Sequence, residues 1–219
     1  MQMKTALLLV TTLTTTGLAY SAQAKTVDKQ KFKGSQAATS FSANNALTCA
    51  DGTTGTVFSS GFLSGSDSIS KETGTPKTVT NGIFVEVDIY SNTCTGVNFN
   101  FGDGSIANGY TPPNKKLNSA GLEGSTTVQD FDTGNTIPVV LDLVIEGTGP
   151  LTATKAHSKT RTVEGKNGPV TITTTTSANS NRDGVVSGTL SIDGTELDAT
   201  FSPTTLSSNG STEITIEKN

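Results

Sequence analysis

The sequence predicts an all-β, antiparallel fold, and three observations support this prediction. First, apolar residues alternate with polar ones at a period of two in several segments, as they do in a strand with one buried face. Second, Asx-Gly pairs separate these segments, and such pairs tolerate the positive φ angles of tight hairpin turns. Third, no window of about eleven residues after residue 24 repeats at the helical period. Short antiparallel strands predict a β-sandwich, immunoglobulin-like or jelly-roll-like, or a partly closed barrel.

The individual strands follow from the alternation. The clearest hairpin is 190–197, where Asp193-Gly194 separates two short apolar-alternating strands. The apolar positions expected to share a face within one segment are Ile83, Val85, Val87 and Ile89; Val97, Phe99 and Phe101; and Val139, Leu141, Leu143 and Ile145.

The N-terminal residues have the three-part layout of a secretory signal peptide. Lys4 precedes a short apolar run, and the small residues 21–24 end in Ala-Gln-Ala. The apolar run is too short and too rich in Thr to cross a bilayer, which takes about 20 residues. We therefore expect a signal peptide at 1–24, a flexible basic leader at 25–35 and a single β-sandwich domain at 36–219. The expected location is secreted, periplasmic or at the cell surface of a bacterial envelope.

The charge balance argues against nucleic acid as a partner. The whole chain carries 15 Lys and Arg against 19 Asp and Glu, a formal net charge of −4. Residues 1–24 contain Lys4 and no acid, so the mature chain is slightly more acidic. Phosphate backbones are bound by basic surfaces, so this composition predicts a partner other than nucleic acid.

Two cysteines, Cys49 and Cys94, are expected to form a disulfide, because paired cysteines in exported proteins usually do so. Only 32% of the residues are hydrophobic and Trp is absent, so the core is thin. In the chain-entropy description, a bridge closing a loop of this length stabilises the fold by about 4 kcal/mol.

The sequence indicates no cofactor, no metal site and no catalytic residue. Asp130 and Asp132 stand two residues apart before Gly134, but a D-x-D fragment without further oxygen ligands is more typical of a turn than of a calcium loop. His157 is the only histidine, and no Gly-x-Ser-x-Gly elbow is present. A hydrolase with its carboxylates on separate loops, such as Asp130 or Asp132, stays open as an alternative function.

A basic stripe is the one candidate site. If 151–163 form a single strand, Lys155, His157, Lys159 and Arg161 project from one face. Four basic groups in a row would hold an anionic polymer or a lipid headgroup. The other interpretation is a solvated face whose charges prevent edge-to-edge aggregation.

Residues 85–161 carry motifs that resemble a group of uncharacterised secreted bacterial β proteins. These motifs are Val85-Glu-Val-Asp-Ile-Tyr-Ser-Asn-Thr-Cys94, Lys115-Lys-Leu-Asn-Ser-Ala120, Pro138-Val-Val-Leu-Asp-Leu-Val-Ile-Glu-Gly-Thr-Gly149 and the run from Lys155 to Arg161. The resemblance implies an exported β protein and no known activity. The cysteine spacing is also similar to that of chaperone–usher fimbrial subunits, which complete a neighbour's sheet by strand donation. Lys218 stands where that family has a penultimate Tyr.

Together these observations predict a non-enzymatic exported protein with a binding or surface role. The expected partners are an anionic polysaccharide, an envelope component or another surface protein, with no membrane span. A fimbrial or adhesin-like subunit is the more specific alternative.

Overall fold

The structure is a computed structural model, and it describes residues 30–166, 168–214 and 216–218. Within these ranges the regular structure is all strand, and the paired strands run antiparallel, which confirms the predicted fold class. The strands are β1 (Gln30–Thr48), β2 (Thr54–Glu72), β3 (Thr78–Asn92), β4 (Val97–Ala107), β5 (Tyr110–Thr111), β6 (Ser119–Asp130), β7 (Thr136–Gly147), β8 (Thr152–Ala156), β9 (Lys159–Gly165), β10 (Gly168–Thr174), β11 (Ser177–Ile192), β12 (Thr195–Leu197), β13 (Thr200–Phe201), β14 (Thr204–Glu213) and β15 (Ile216–Lys218).

The large sheet closes on itself. Its pairing path runs β1–β2–β3–β4–β6–β7–β11–β14 and returns from β14 to β1. The short strands β5, β8, β12 and β13 pair along this ring. The fold is thus sandwich-like in its packing of facing strands over one core, while its pairing path is closed. Each of the eight strands on this path pairs with a neighbour on both sides over at least part of its length. Assembly by strand donation stays a prediction.

The core lies on the inner face of this ring. Val139, Leu141, Leu143 and Ile145 are all buried on one face of β7, as their alternation predicts. Fully burying an aliphatic side chain of this size stabilises a fold by about 1.5–3 kcal/mol, so this strand alone contributes substantially to the core. Other buried residues from around the ring are Phe41, Leu63, Val85, Tyr90, Phe99, Leu122, Leu190 and Leu206.

Two strands depart from the simple alternation. In β3, the register with β2 shifts between Ser60 and Gly61, so Tyr90 is buried and Ile89 is only half-buried. A bulge of this kind inserts one residue and exchanges the faces beyond it. In β4, Phe101 has a φ of 39° and is exposed, whereas Phe99 is buried. The expected inward positions of Ile89 and Phe101 were therefore wrong, because alternation holds only while the strand is regular.

The predicted disulfide and hairpin are both present. Cys49 and Cys94 are bonded, with 5.2 Å between their Cα atoms, and join the turn after β1 to the turn after β3. In the hairpin, Leu190 pairs with Leu197, and Asp193 and Gly194 have φ angles of 51° and 73°. Positive φ at both central residues is what a two-residue turn of this type requires.

The predicted N-terminal boundary needs correction. The expected signal peptide and residues 25–29 lie outside the described residues, but residues 30–35 belong to β1 and pair with both β2 and β14. The leader therefore does not extend to residue 35. The lysines of this segment led us to predict a leader, because a charged strand end has the same composition as a loop.

A small second sheet continues from three strands of the large one. Its order is β15–β10–β9. Along the chain, β9 follows β8, β10 precedes β11 and β15 follows β14. We call this three-stranded sheet the arm.

Candidate anion-binding trough

The candidate site lies where the ring is incomplete at one end. Strands β1, β2, β3, β11 and β14 run on past the ends of β4, β6 and β7. The last paired positions are Gly82 with Ala107, between β3 and β4, and Gly184 with Gly147, between β11 and β7. The extension of β1, from Gln30 to Ser35, measures about 20 Å at the usual rise of a strand. The inner face of the ring is therefore uncovered here and forms an open cavity of about 580 Å³.

Strand register determines which side chains share this face. Lys33 lies opposite Ile69 on β2 and opposite Gly210 on β14. Lys31 lies opposite Lys71 and Thr212 in the same way. Directly opposed residues of antiparallel strands project from the same face, and alternate residues of one strand do so as well. Because Ser35 and Ala37 of β1 are buried in the ring, Lys31 and Lys33 belong to the same inner face.

We call this cavity the lysine trough. Four of its lining residues are lysines, and among the described residues that line it none is acidic. The remaining inner-face positions are short, apart from Ile69. The lysines are Lys31, Lys33, Lys71 and Lys77, and the short residues are Thr176, Ala178, Ser180, Ser208, Gly210 and Thr212.

The lysines are without acidic partners in the part of the chain that the structure describes, since no ion pair or hydrogen bond of their side chains is found there. One nearby acid, Asp67, lies opposite Ser35 on the inner face, whereas Glu72 and Glu213 lie on the opposite face of the sheet. Gln30 lies opposite Glu72 and Glu213, and its Nε2 donates a hydrogen bond to Glu72 Oε1 at 3.2 Å. The register thus places the lysines on the concave face and the glutamates on the convex face. At the strand ends, Lys31 and Lys71 also border a second cavity of about 570 Å³ together with Glu72 and Glu213.

A hydrogen-bonded group closes the inner end of the trough. Ser35 Oγ donates to Asp67 Oδ1 and lies 3.3 Å from the Tyr110 hydroxyl oxygen. Asn81 holds Tyr110 in place, since its Nδ2 donates to the Tyr110 carbonyl oxygen at 2.7 Å and its Oδ1 accepts from the Tyr110 N–H at 3.2 Å. Burial raises the pKa of the Tyr110 hydroxyl to about 12, although the hydrogen bond with Ser35 opposes this rise. Tyr110 therefore separates the apolar core from the open trough as a neutral group.

The basic stripe expected at 151–163 is not one strand. Lys155 lies in β8 of the large sheet, His157 lies in the connection, and Lys159 and Arg161 lie in β9 of the arm. All four are exposed. The single-strand premise was wrong because the polar run of this segment permits a change of sheet at 157–158. Anion binding by the four residues stays a prediction.

Register nevertheless brings Lys155 to the trough face. Lys155 lies opposite Ala178 on β11, and Ala178 lies opposite Gly210 on β14. Gly210 in turn lies opposite Lys33. Lys155 therefore projects from the same face as Lys33, on the far side of two strands with short side chains.

The Asp130 carboxylate is occupied by its own turn. Its Oδ1 accepts the backbone N–H groups of Asp132 at 2.8 Å and Thr133 at 2.9 Å, and its Oδ2 accepts the Asn100 N–H at 3.1 Å. These hydrogen bonds, of which the one from the Thr133 N–H has the largest effect, hold the pKa of the Asp130 carboxyl below its ordinary value. Asp132 is exposed. Across the described ranges there is no group of three or more His, Cys, Asp or Glu side chains placed to hold a metal ion.

Sequence reasoning missed the trough lysines. Lys31 and Lys33 were assigned to the leader, and Lys71 and Lys77 were not singled out. A usable signal was the two-residue spacing of Lys31 and Lys33, which continues through Ser35 and Ala37 as one strand face. The pairing with β2 and β14 carries no such signal, because it joins residues distant in sequence.

Comparisons with protein families, curated proteins and solved structures found no match to this chain. In the described residues no helix is long and apolar enough to span a membrane. The trough is therefore interpreted from its own geometry and charge.

Proposed function

We propose that this protein is an exported, non-enzymatic binding protein that takes an anionic ligand in the lysine trough. The observation that carries the proposal is the gathering of Lys31, Lys33, Lys71 and Lys77 around one concave surface. The acid on the same face, Asp67, lies at the inner end and accepts a hydrogen bond from Ser35. A cleft lined by one sign of charge concentrates ligands of the opposite sign and speeds their association.

The charge of the trough contrasts with that of the molecule. The chain as a whole has a net charge of −4, so a general attraction for anions is not expected. Any attraction for anions is therefore local and depends on the trough side chains. This contrast makes the proposal testable by replacing a few residues.

Two features support the export part of the proposal. The N-terminal residues have the pattern of a signal peptide, and the Cys49–Cys94 disulfide suits an oxidising compartment. Expression in a secreting bacterial host followed by N-terminal sequencing tests this part. A mature N-terminus at Lys25 supports export, and an intact Met1 in an unsecreted product contradicts it.

The binding part is tested with a triple variant and a charge-matched control. Lys31→Gln, Lys71→Gln and Lys77→Gln together remove three trough charges, whereas Lys115→Gln, Lys116→Gln and Lys166→Gln together remove three exposed charges outside the trough lining. Inorganic phosphate, inorganic sulfate and dextran sulfate serve as anionic probes, and uncharged dextran serves as the neutral probe. Binding is measured by calorimetry at low and high salt with the disulfide intact.

We expect at least one anionic probe to bind the native protein and the control variant, and to lose affinity for the trough variant. High salt should weaken that binding, because solvent-exposed charges are screened. Equal affinity of the two triple variants for every anionic probe, or equal binding of uncharged dextran, would overturn the proposal.

A further inference from the structure

Two groups of lysines share the inner face but stand well apart. Lys31, Lys33 and Lys71 lie on β1 and β2, whereas Lys155 lies on β8. The path from Lys33 to Lys155 crosses β14 and β11, which corresponds to three interstrand spacings or about 14 Å. An extended polyanion spans this separation with one negative charge on each side.

The surface between these groups carries only short side chains, several of them with hydroxyl groups. Gly210 and Ala178 lie directly between Lys33 and Lys155, with Ser208 and Ser180 in the neighbouring row. A methyl group at Gly210 would contact only the backbone oxygen of Phe32, at 3.7 Å, so the space above this position is open. A chain-like molecule can therefore cross these strands without displacing a protein side chain.

We propose that the ligand is a linear anionic polysaccharide that crosses β1, β14, β11 and β8, from the Lys31–Lys71 pair to Lys155. This inference rests on the proposed function and adds the ligand's class and its path. A polymer with repeated negative charges contacts both lysine groups at once, and the second contact is intramolecular after the first. The hydroxyl groups of Ser180 and Ser208 offer hydrogen bonds to sugar hydroxyls along the path.

The same surface is less suited to single-stranded nucleic acid. Such ligands are held by bases stacked on aromatic side chains, besides the charged groups. Phe32 is the aromatic residue among those bordering the trough, and its strand neighbours Ser70 and Ser211 share the opposite, convex face with it. The described inner-face positions between the lysine groups are glycine, alanine, serine or threonine.

The experiment compares dextran sulfate fractions of increasing length with inorganic sulfate, using single variants. Lys155→Gln removes the distant charge, and Gly210→Leu places a bulky group in the middle of the path without changing the charge. Lys115→Gln is the matched charge control. Ala178→Leu replaces Gly210→Leu if the latter fails to reach the native thermal midpoint.

We expect the affinity of the native protein to rise with the length of the dextran sulfate. Lys155→Gln should lower the affinity for long fractions by up to about fivefold, the upper end for one exposed charge pair, and leave inorganic sulfate binding unchanged. Gly210→Leu should weaken the binding of long fractions as well, while Lys115→Gln should leave it unchanged.

Other outcomes separate this inference from the proposed function. Unchanged affinity of long fractions for both Lys155→Gln and Gly210→Leu, with a loss only in the trough triple variant, would overturn the path and keep the anion site. Tighter binding of oligothymidylate than of dextran sulfate, lost in the same variants, would overturn the polysaccharide class. Failure of all anionic probes to bind would overturn both proposals.

Discussion

Lys31 and Lys71 lie directly opposite each other on neighbouring antiparallel strands, with both side chains on the inner face of the ring. Like charges in directly opposed positions destabilise a sheet. Within the described ranges the lysines make no ion pair, and the acids beside this pair, Glu72 and Glu213, lie opposite Gln30 on the convex face. We interpret the pair as a local loss of stability that a bound anion would relieve.

Replacing one member of this pair should stabilise the free protein. Lys71→Glu changes a repulsive cross-strand pair into an attractive one, so we expect the free energy of unfolding to rise by about 0.2–1 kcal/mol at low salt. Urea denaturation measures the change, and 1 M salt should reduce it by screening. Lys115→Glu is the control and should have little effect. Anion binding should weaken in Lys71→Glu, and a variant that is less stable at low salt would contradict our interpretation of the pair.

Gly55 has no side chain because the disulfide occupies the space beside it. A Cβ at this position would lie 2.8 Å from Cys49 Sγ and closer still to Cys94 Sγ. We expect Gly55→Ala to lower the thermal midpoint strongly in the oxidised protein. The Cys49→Ala, Cys94→Ala double variant should itself lose about 4 kcal/mol in the chain-entropy description.

A double-mutant cycle tests the contact between Gly55 and the disulfide. Adding Gly55→Ala to the double cysteine variant should cost less than adding it to the native protein, since both sulfur atoms are then gone. An equal cost in both backgrounds would show that Thr93, whose Oγ1 would lie 2.9 Å from the added Cβ, or the backbone excludes a side chain at residue 55 instead of the disulfide.

Tyr110 should make stability fall at alkaline pH. Its pKa is raised to about 12 by burial, against 10.0 for an ordinary tyrosine. Between these values the folded state keeps a proton that the unfolded state releases, so the free energy of unfolding decreases as the pH rises from 10 towards 12. Denaturation at several alkaline pH values should give a shallower decrease for Tyr110→Phe than for the native protein. Identical pH profiles would contradict the burial of this hydroxyl.

Asp130 should have the opposite effect, in the acid range. Its carboxylate accepts three backbone N–H groups, and its pKa is lowered from 3.8. The folded state therefore loses stability as the pH falls below the unfolded value and through the lowered one. Asp130→Asn places an amide group against N–H donors, so it should be less stable than the native protein at pH 7. The difference in the free energy of unfolding between Asp130→Asn and the native protein should become smaller in strongly acidic solution. Asp132→Asn should be as stable as the native protein at every pH.

Much of the fold could be predicted because its signals are local. The buried face of β7 follows from the alternation of Val139, Leu141, Leu143 and Ile145, and the turn at Asp193-Gly194 follows from two residues that tolerate positive φ. Cys49 and Cys94 could be paired because no other cysteines compete for them. The inward position of Tyr90 could not be predicted, since the preceding bulge depends on the register with β2.

The candidate site depended on pairings between distant segments. The strand pattern, the turns and the disulfide could be read from the sequence, because each rests on neighbouring residues or on a unique pair of cysteines. That Lys31, Lys33, Lys71 and Lys155 share one face follows only from the pairing of the strands. A shift of one residue in register would turn a strand's side chains to the other face of the sheet. Packing of the ring's core sets that register, and with it the charge of the trough.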